Sequence, residues 1–518
     1  MLLVLGFVFK VFALALFPPY APEECSTYLP ASNAILEAGR TVYNPSIAFS
    51  SLPQNTEMLY AWSLMVSPLS SAHFVNLLAF VFSLTAMIRL GRAAFSLKTG
   101  WLAALFLGSF SAVQWFACRA YPDLWVMFYL LAAMLTGLEA FKGGRPGLLL
   151  LSGIFMGAAA GAGHAGALGA VTLGISLLAL GKWRMPAVKK MQPEDIFAAF
   201  LVALAVASPW YIRNAIWFHN PAFPFMTNIF LPGGGTYGTY GPESAVDFRR
   251  MMSAYTAARF FEKGVLWARL IDMWPVWGAV PAGLWFWRTN PVMRIAVTWT
   301  LLTWAYWMII GGGIMYTSFY LYLAPVTALA VAHLAGKIYT FPPGDHRGRF
   351  ARILLWILLI GWVGIITTKG DQVSPPLTSS AQKEFLSRSV QSYNLIEEAN
   401  IAIPKTSVAT GVFCSDARLY ADFPLVGGGD QGLANHRILA DSSTSVLQLA
   451  DLLRERYSSS FLVVNEERLK SDEGREYPQI SRLLESPEFG LVFREITRIG
   501  TGAIYYIEPN PEPEQSSN

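Results

Sequence analysis

The 518-residue chain is 54% hydrophobic and only 14% charged, against roughly 25% charged residues in soluble domains, so lipid is the main solvent for most of it. The net charge of +4 is spread over short stretches between apolar blocks, which speaks for membrane topology and against a nucleic-acid-binding surface. Cys25, Cys118 and Cys414 show no CxxC spacing, so neither a zinc site nor a disulfide framework is implied.

The first apolar run, residues 1–17, lacks the basic start and small-residue cleavage site of a signal peptide and reads as a retained span. Crossing the hydrocarbon core takes about 20 apolar residues. Further spans are predicted at 72–90, 100–118, 122–141, 147–162, 164–181, 196–217, 271–287, 292–311, 316–338 and 350–368. That makes about eleven transmembrane helices.

Positive charge tests the map, because cytoplasmic loops are rich in Lys and Arg. With a cytoplasmic N-terminus, the inside loops hold Arg89, Arg92 and Lys98; Lys142 and Arg145; Lys182, Arg184, Lys189 and Lys190; Arg288 and Arg294; and Lys337, Arg347, Arg349 and Arg352. The short outside connections hold only Arg119. Two long outside loops follow from this topology. Residues 18–56 suit short interfacial helices, and residues 218–270, with Pro232 and Gly233 to Gly235, suit a loop beside a site.

Composition changes after residue 369. Ser407–Phe413 and Phe461–Asn465 read as buried strands, Ser443–Tyr457 carries helical apolar spacing, and Ala503–Ile507 reads as a last strand. That order predicts a small α/β domain over 370–508, placed outside the membrane by the odd number of spans. The tail 509–518 reads as disordered. Residues 1–369 form the expected membrane domain.

Acidic residues at the edge of a membrane ask for a reason. Glu23 and Glu24 follow the first span, Glu57 precedes the second, and Asp123 opens the fourth. All four fall at the outer face, where they either converge or stand as solvated loop carboxylates. Arg119, four residues before Asp123, has the spacing of a helical ion pair, and its forked donors equally suit a phosphate. Arg213 in SPWYIRN is read either as part of an aromatic and basic interfacial anchor or as a phosphate ligand. His164, between glycines, reads first as a packed histidine. The sequence has no Walker A motif and no GxSxG elbow.

Four segments resemble the GT-C glycosyltransferases, in the branch of the protein O-mannosyltransferases and lipid A aminoarabinose transferases. They are EECSTYLPASNAILEAGRTVYNP at 23–45, LPQNTEMLY at 52–60, the block from Gly91 to Phe128, and ASPWYIRNAIWFHNPAFPF at 207–225. The resemblance implies a polytopic α-helical membrane protein of GT-C type with a C-terminal extracytoplasmic α/β domain. It implies inverting transfer of a sugar from a polyprenyl-phosphate donor to a glycan, lipid or protein hydroxyl, at the outer face of a bacterial inner membrane. By resemblance Glu23 takes the place of the family's catalytic Asp, as general base, and Asp123 that of its second outer acid. Glu57 matches an acid or polar residue before the second span. Glu24, Arg119, Tyr121, His164 and Arg213 complete the candidate substrate-binding set. A divalent cation, Mg or Mn, would bind through Glu23 and Asp123 if the reaction needs one. Two features depart from the pattern. Glu23 stands where Asp is usual, and MYTSFYLYLAP at 315–325 lacks the Arg that many relatives carry before that proline. These departures keep a non-catalytic binder or scaffold of lipid-linked sugars open. A transporter or flippase of lipid-linked glycans is a separate alternative; it would be expected to show an inverted repeat, and the sequence shows no clear one.

Overall fold

The computed structural model describes residues 1–44, 50–66, 69–184, 192–223, 290–310, 321–339, 375–427, 445–470, 478–500 and 502–508, with isolated positions at 47, 230, 349 and 353. The expected spans 271–287 and, apart from Ile353, 350–368 lie outside these residues, as do the loop beyond Phe223 apart from Phe230 and the tail 509–518. Contacts divide the chain into two units. One holds Met1–Phe17 and the described parts of Leu52–Gly233 and Arg249–Pro375; the other joins Pro18–Ser51 to the described residues after Pro376.

The first unit is helical: α1 Leu2–Ala15, α3 Asn55–Val66, α4 Ser71–Ala94, α5 Leu97–Ser109, α6 Ser111–Ala117, α7 Asp123–Gly143, α8 Pro146–Ala160, α9 His164–Arg184, α10 Pro193–Phe218, α11 Pro291–Ile310 and α12 Ala324–Tyr339, while Leu29–Ala38, α2, belongs to the other unit. Among the described residues α4, α7 and α10 are each long and apolar enough to cross a membrane, and α5 with α6 would make a fourth span. On α10 the apolar side chains Phe197, Phe200, Leu201 and Leu204 are exposed, the pattern expected of a lipid-facing surface. The chain is an integral membrane protein.

Without water to drive apolar association, membrane helices adhere through close backbone approach at small residues. A Cβ on Gly100 of α5 would strike the carbonyl of Ile88 on α4. Likewise, a Cβ on Gly157 of α8 would meet Ala203 O at 2.5 Å and Val206 Cβ at 2.7 Å on α10. Freed backbone carbonyls are met locally, as lipid demands. Pro209 inside α10 has no N–H for the carbonyl four residues back, and Ser208 Oγ donates to that carbonyl, Ala205 O, at 2.9 Å.

The span expected at 100–118 is bent in the structure. It breaks at Phe110, whose extended backbone separates α5 from α6 by a 72° bend. Ser109 Oγ donates to Phe106 O and Gln114 Nε2 to Gly108 O, each at 2.7 Å, so side chains replace the lost helical bonds and the break is tolerated.

The second unit contains a π-helical turn at Glu24–Tyr28, α2, α13 Ser379–Ser389, α14 Tyr393–Ala402, a 3-10 helix Ser415–Tyr420, α15 Val446–Tyr457, α16 Glu466–Lys470, α17 Pro478–Leu484 and α18 Phe489–Val492. Its strands are β1 Val408–Val412, β2 Leu425–Gly427, β3 Ser459–Asn465, β4 Phe493–Ile499 and β5 Gly502–Ile507, in the order β2-β1-β3-β5-β4. β1 is parallel to β2 and β3; β5 runs antiparallel to β3 and β4. Side-chain alternation in strands sends Leu462 and Val464 to a core with Leu449, Leu453 and Phe489, and Phe461 and Val463 to a core with Leu386, Ile396 and Ala399. The sheet is therefore covered on both faces. A small sheet with flanking helices is what the C-terminal pattern predicts; that pattern does not reveal β2 or β4. The sequence reading also assigns residues 18–56 to the membrane domain, whereas contacts gather Pro18–Ser51 with the sheet.

Candidate functional site

In the helical unit the site is built from helix ends. Asn55, opening α3, is held at three points: its N–H donates to Gly161 O at 2.9 Å, its Nδ2 to Ala158 O at 3.2 Å, and its Oδ1 accepts from Trp210 Nε1 at 2.7 Å. Tyr211 Oη donates to Ala160 O at 3.1 Å. The last carbonyls of α8, which a helix cannot satisfy itself, thereby tie α3, α8 and α10 together.

Glu57 sits on the first turn of α3, 6% exposed, and not in the solvated loop that the sequence allows. Its Oε2 has no hydrogen-bond partner among the described residues. Burial pushes its carboxyl up to about 8. Its own backbone N–H and the Arg213 guanidinium oppose the rise, and Asp123 adds to it. At neutral pH Glu57 is mostly the uncharged acid. Arg213 is 8% exposed. Its Nη1 donates to Gln54 Oε1 at 2.8 Å, its Nη2 to Leu52 O at 2.9 Å, and its Nε to Asn214 Oδ1 at 3.2 Å. Trp210 and Trp217 lie 5.0 and 4.8 Å from its guanidinium carbon, in cation–π range. His164 starts α9, pairs through Nε2 with Phe223 O at 3.1 Å and lies edge-on to Tyr211 at 5.9 Å. The carbonyl can only accept, so Nε2 carries the proton and a neutral ring keeps Nδ1 as an acceptor.

Asp123 is the first residue of α7, where the helix dipole favours a carboxylate. The turn before it hangs on Asn76 of α4, fully buried. Asn76 Nδ2 lies within hydrogen-bond distance of the carbonyls of Phe116, at 3.0 Å, Arg119, at 2.5 Å, and Tyr121, at 2.7 Å, while its Oδ1 accepts from Tyr60 Oη at 2.9 Å. Arg119 belongs to this turn and not to α7, so its four-residue spacing from Asp123 is not a helical one. Its Nη1 donates to Trp115 O at 3.2 Å and contacts Cys118 Sγ at 3.3 Å, and its guanidinium carbon lies 3.2 Å from the centre of the Trp115 ring. Tyr121 packs edge-on against Phe116 at 5.2 Å.

The helical unit thus gathers Glu57, Asp123, Arg213 and His164 into one electrostatic neighbourhood, with Arg119 and Tyr121 in the turn leading to Asp123. Gln54, Asn55, Tyr60 and Asn76 organise it and were missed by sequence reasoning. The signal for Asn76 was present, as a polar amide within an apolar run, where burial demands hydrogen-bond partners.

Glu23 and Glu24 belong to the other unit. Glu23 is half-buried at the start of the π-helical turn, and Glu24 is fully buried. Burial pushes the thiol of Cys25 well up, and the carboxylates of Glu24, Asp416 and Glu23 act in the same direction, so three acids crowd that turn. Among the described residues no three His, Cys, Asp or Glu side chains gather as a metal ligand set.

No family model matches the chain, and no curated protein matches it in sequence. Solved structures do. ArnT from Cupriavidus metallidurans bound to undecaprenyl phosphate is similar with a TM-score of 0.61 at 14% identity, over 97% of each chain. The oligosaccharyltransferase AglB from Archaeoglobus fulgidus, solved with an inhibitory peptide and a dolichol-phosphate, is similar with a TM-score of 0.58 at 12% identity, over 99% of this chain and 75% of that one. The arabinofuranosyltransferase AftD from Mycobacteria gives 0.53 at 15% identity, over 99% of this chain and 41% of that one. The chain shares the fold of these solved structures.

Proposed function

We propose that this protein is an inverting glycosyltransferase that moves a sugar from a polyprenyl-phosphate donor to an acceptor hydroxyl of an envelope glycan, lipid or protein. The reaction takes place at the outer face of a bacterial inner membrane, with the N-terminus cytoplasmic and the domain at 370–508 extracytoplasmic. The observation that supports this most is the gathering of Glu57, Asp123 and Arg213 from three helices, in the fold of a transferase solved with undecaprenyl phosphate.

The chemistry asks for two things. A base must take the acceptor proton, which a positioned carboxylate does with an effect of about 10²–10⁴-fold. Charge growing on the departing phosphate must be stabilised by fixed donors. In this reading Glu23 is the base and Asp123 organises the acceptor side. Arg213, held in place by Gln54 and Leu52, faces the phosphate with Arg119. Uncharged Glu57 offers a proton where a carboxylate would repel the phosphate. Tyr121 and His164 line the substrates, while Glu24, fully buried, supports the turn that carries Glu23. One base with direct displacement inverts the anomeric carbon and needs no second nucleophile.

Envelope glycans and lipid-linked sugars in a deletion strain test the reading. The deletion should remove one glycan and accumulate its lipid-linked donor. The wild-type gene should restore it, and Glu23→Ala and Asp123→Ala should not, at equal membrane abundance. Normal glycans in the deletion strain would leave the non-catalytic reading, which the absence of Arg in MYTSFYLYLAP favours. Normal turnover in both variants would overturn the site.

A further inference from the structure

Residues 18–28 and the 3-10 helix Ser415–Tyr420 lie about four hundred positions apart in sequence and in contact within the sheet-bearing unit. The contacts bracket the acidic pair. Upstream of it, Tyr420 Oη donates to Pro19 O. Downstream, Arg418 Nη1 reaches Ser26 O at 3.5 Å. Tyr20 meets Phe385 edge-on at 5.1 Å, and Tyr393 meets Tyr420 at 5.2 Å. Glu24 and Cys25 are fully buried beneath these contacts, and Arg418 is 9% exposed.

The 3-10 helix is itself fixed to the sheet. Asp416 Oδ2 accepts from the Ser392 N–H at 3.2 Å, and its Oδ1 pairs with Arg468 Nη1 at 3.2 Å. Arg468 follows β3, and Phe413, just after β1, takes a positive φ of 56°, an unfavourable backbone for a bulky residue. The carboxyl ends of the parallel strands β1 and β3 form the crevice that open α/β sheets commonly give to a ligand. Here the 3-10 helix crosses that place, and the chain's own π-helical turn packs on it.

A π-helical turn is an uncommon backbone state, frequent at functional sites. Burying a glutamate side chain beside it is costly without specific partners. Both need an outside element to hold them, and the bracketing contacts supply one.

We propose that the 3-10 helix Ser415–Tyr420 is a clamp that sets the backbone of the Glu23–Glu24 turn, with Tyr420 and Arg418 acting as positioning residues for Glu23. The role assigned to Glu23 rests on the glycosyltransferase reading; the clamp itself does not. The C-terminal domain then serves the reaction by shaping the turn that carries the base, and its strand-end crevice is used internally.

Cys25 reports on the clamp without any substrate. The full chain in detergent is treated with N-ethylmaleimide under native conditions, and labelling at Cys25, Cys118 and Cys414 is resolved by peptide mass spectrometry. In Tyr420→Phe and in Arg418→Met, Cys25 should label about tenfold faster than in wild type, as local opening becomes easier, with Cys414 in the sheet core unchanged. Cys25 protected in both variants, or rising only together with Cys414, overturns the clamp. Transfer of label from endogenous lipid-linked sugars in native membranes gives the second readout. Tyr420→Phe should lower kcat by about tenfold with the donor KM unchanged, and intact turnover in a variant with an exposed Cys25 overturns the positioning role. Full activity of Glu23→Ala, with the thiol result intact, would instead count against Glu23 as the base and leave the clamp standing.

Discussion

Replacing Glu57 with Gln isolates the cost of its charge, because the shape of the side chain is kept and only ionisation is lost. The folded-state value of about 8 stands above an ordinary carboxyl at 4.5. The folded state therefore binds the proton more tightly, and stability must fall as pH rises through the interval between the two values. Below about pH 4.5 the residue is neutral in both states and contributes no penalty. Above about pH 8 the full penalty applies, on the order of 5 kcal/mol for a carboxyl moved from 4.5 to about 8. The group is 6% exposed, so solvent screening reduces this little. Thermal melting of the purified chain in detergent between pH 5 and pH 9 measures it. Wild type should lose stability steadily up to about pH 8, and Glu57→Gln should melt with a flatter pH dependence and above wild type at pH 9. Equal pH slopes in the two proteins would refute the claim that Glu57 is a buried acid held neutral. Transfer activity adds a second expectation: Gln can still donate a hydrogen bond, so Glu57→Gln should stay active at pH 9, where wild type is charged and slowed.

Asn76→Leu should lower stability by about 3 kcal/mol, since it strands carbonyls in the turn before Asp123 and the Tyr60 hydroxyl. It should cost sugar transfer as well, read as a fall in kcat in membranes. Gly157→Val should cost about 1–3 kcal/mol or more, because Ala203 O and Val206 Cβ leave no room for a side chain. The check is the yield of monodisperse protein from detergent extraction, with Gly147→Val, where nothing lies within 4 Å, as the control.

The long helices were legible because an apolar run of membrane length rarely folds as anything but a span. Asp123 stood out as a carboxylate opening such a run, and α7 begins at it. The break at Phe110 was not legible. No Pro marks residue 110; the Gly108-Ser109 pair before it is a known kink site but does not alone fix a bend, and the compensating bonds from Ser109 and Gln114 depend on a bend that must already exist. The place of Arg119 in a turn was hidden too, since its spacing from Asp123 is helical in number while the backbone between them is not. Glu57 was visible as a residue and invisible as an environment, because its burial comes from other helices. In the sheet-bearing unit β3 was legible as FLVVN, buried on both faces. β4 shows mostly exposed side chains and gives no apolar run to find.

The grouping of Pro18–Ser51 with the residues after Pro376 has a biosynthetic consequence. The ribosome makes Pro19–Ser26 about four hundred residues before the 3-10 helix that packs on it. At about 5–20 residues per second the delay is on the order of tens of seconds. During that interval Glu24 and Cys25 have emerged without the surface that packs over them, so a chain stalled before Ser415 would carry an unfinished turn at Glu24–Tyr28. Closure of this turn therefore waits on a segment made long after it.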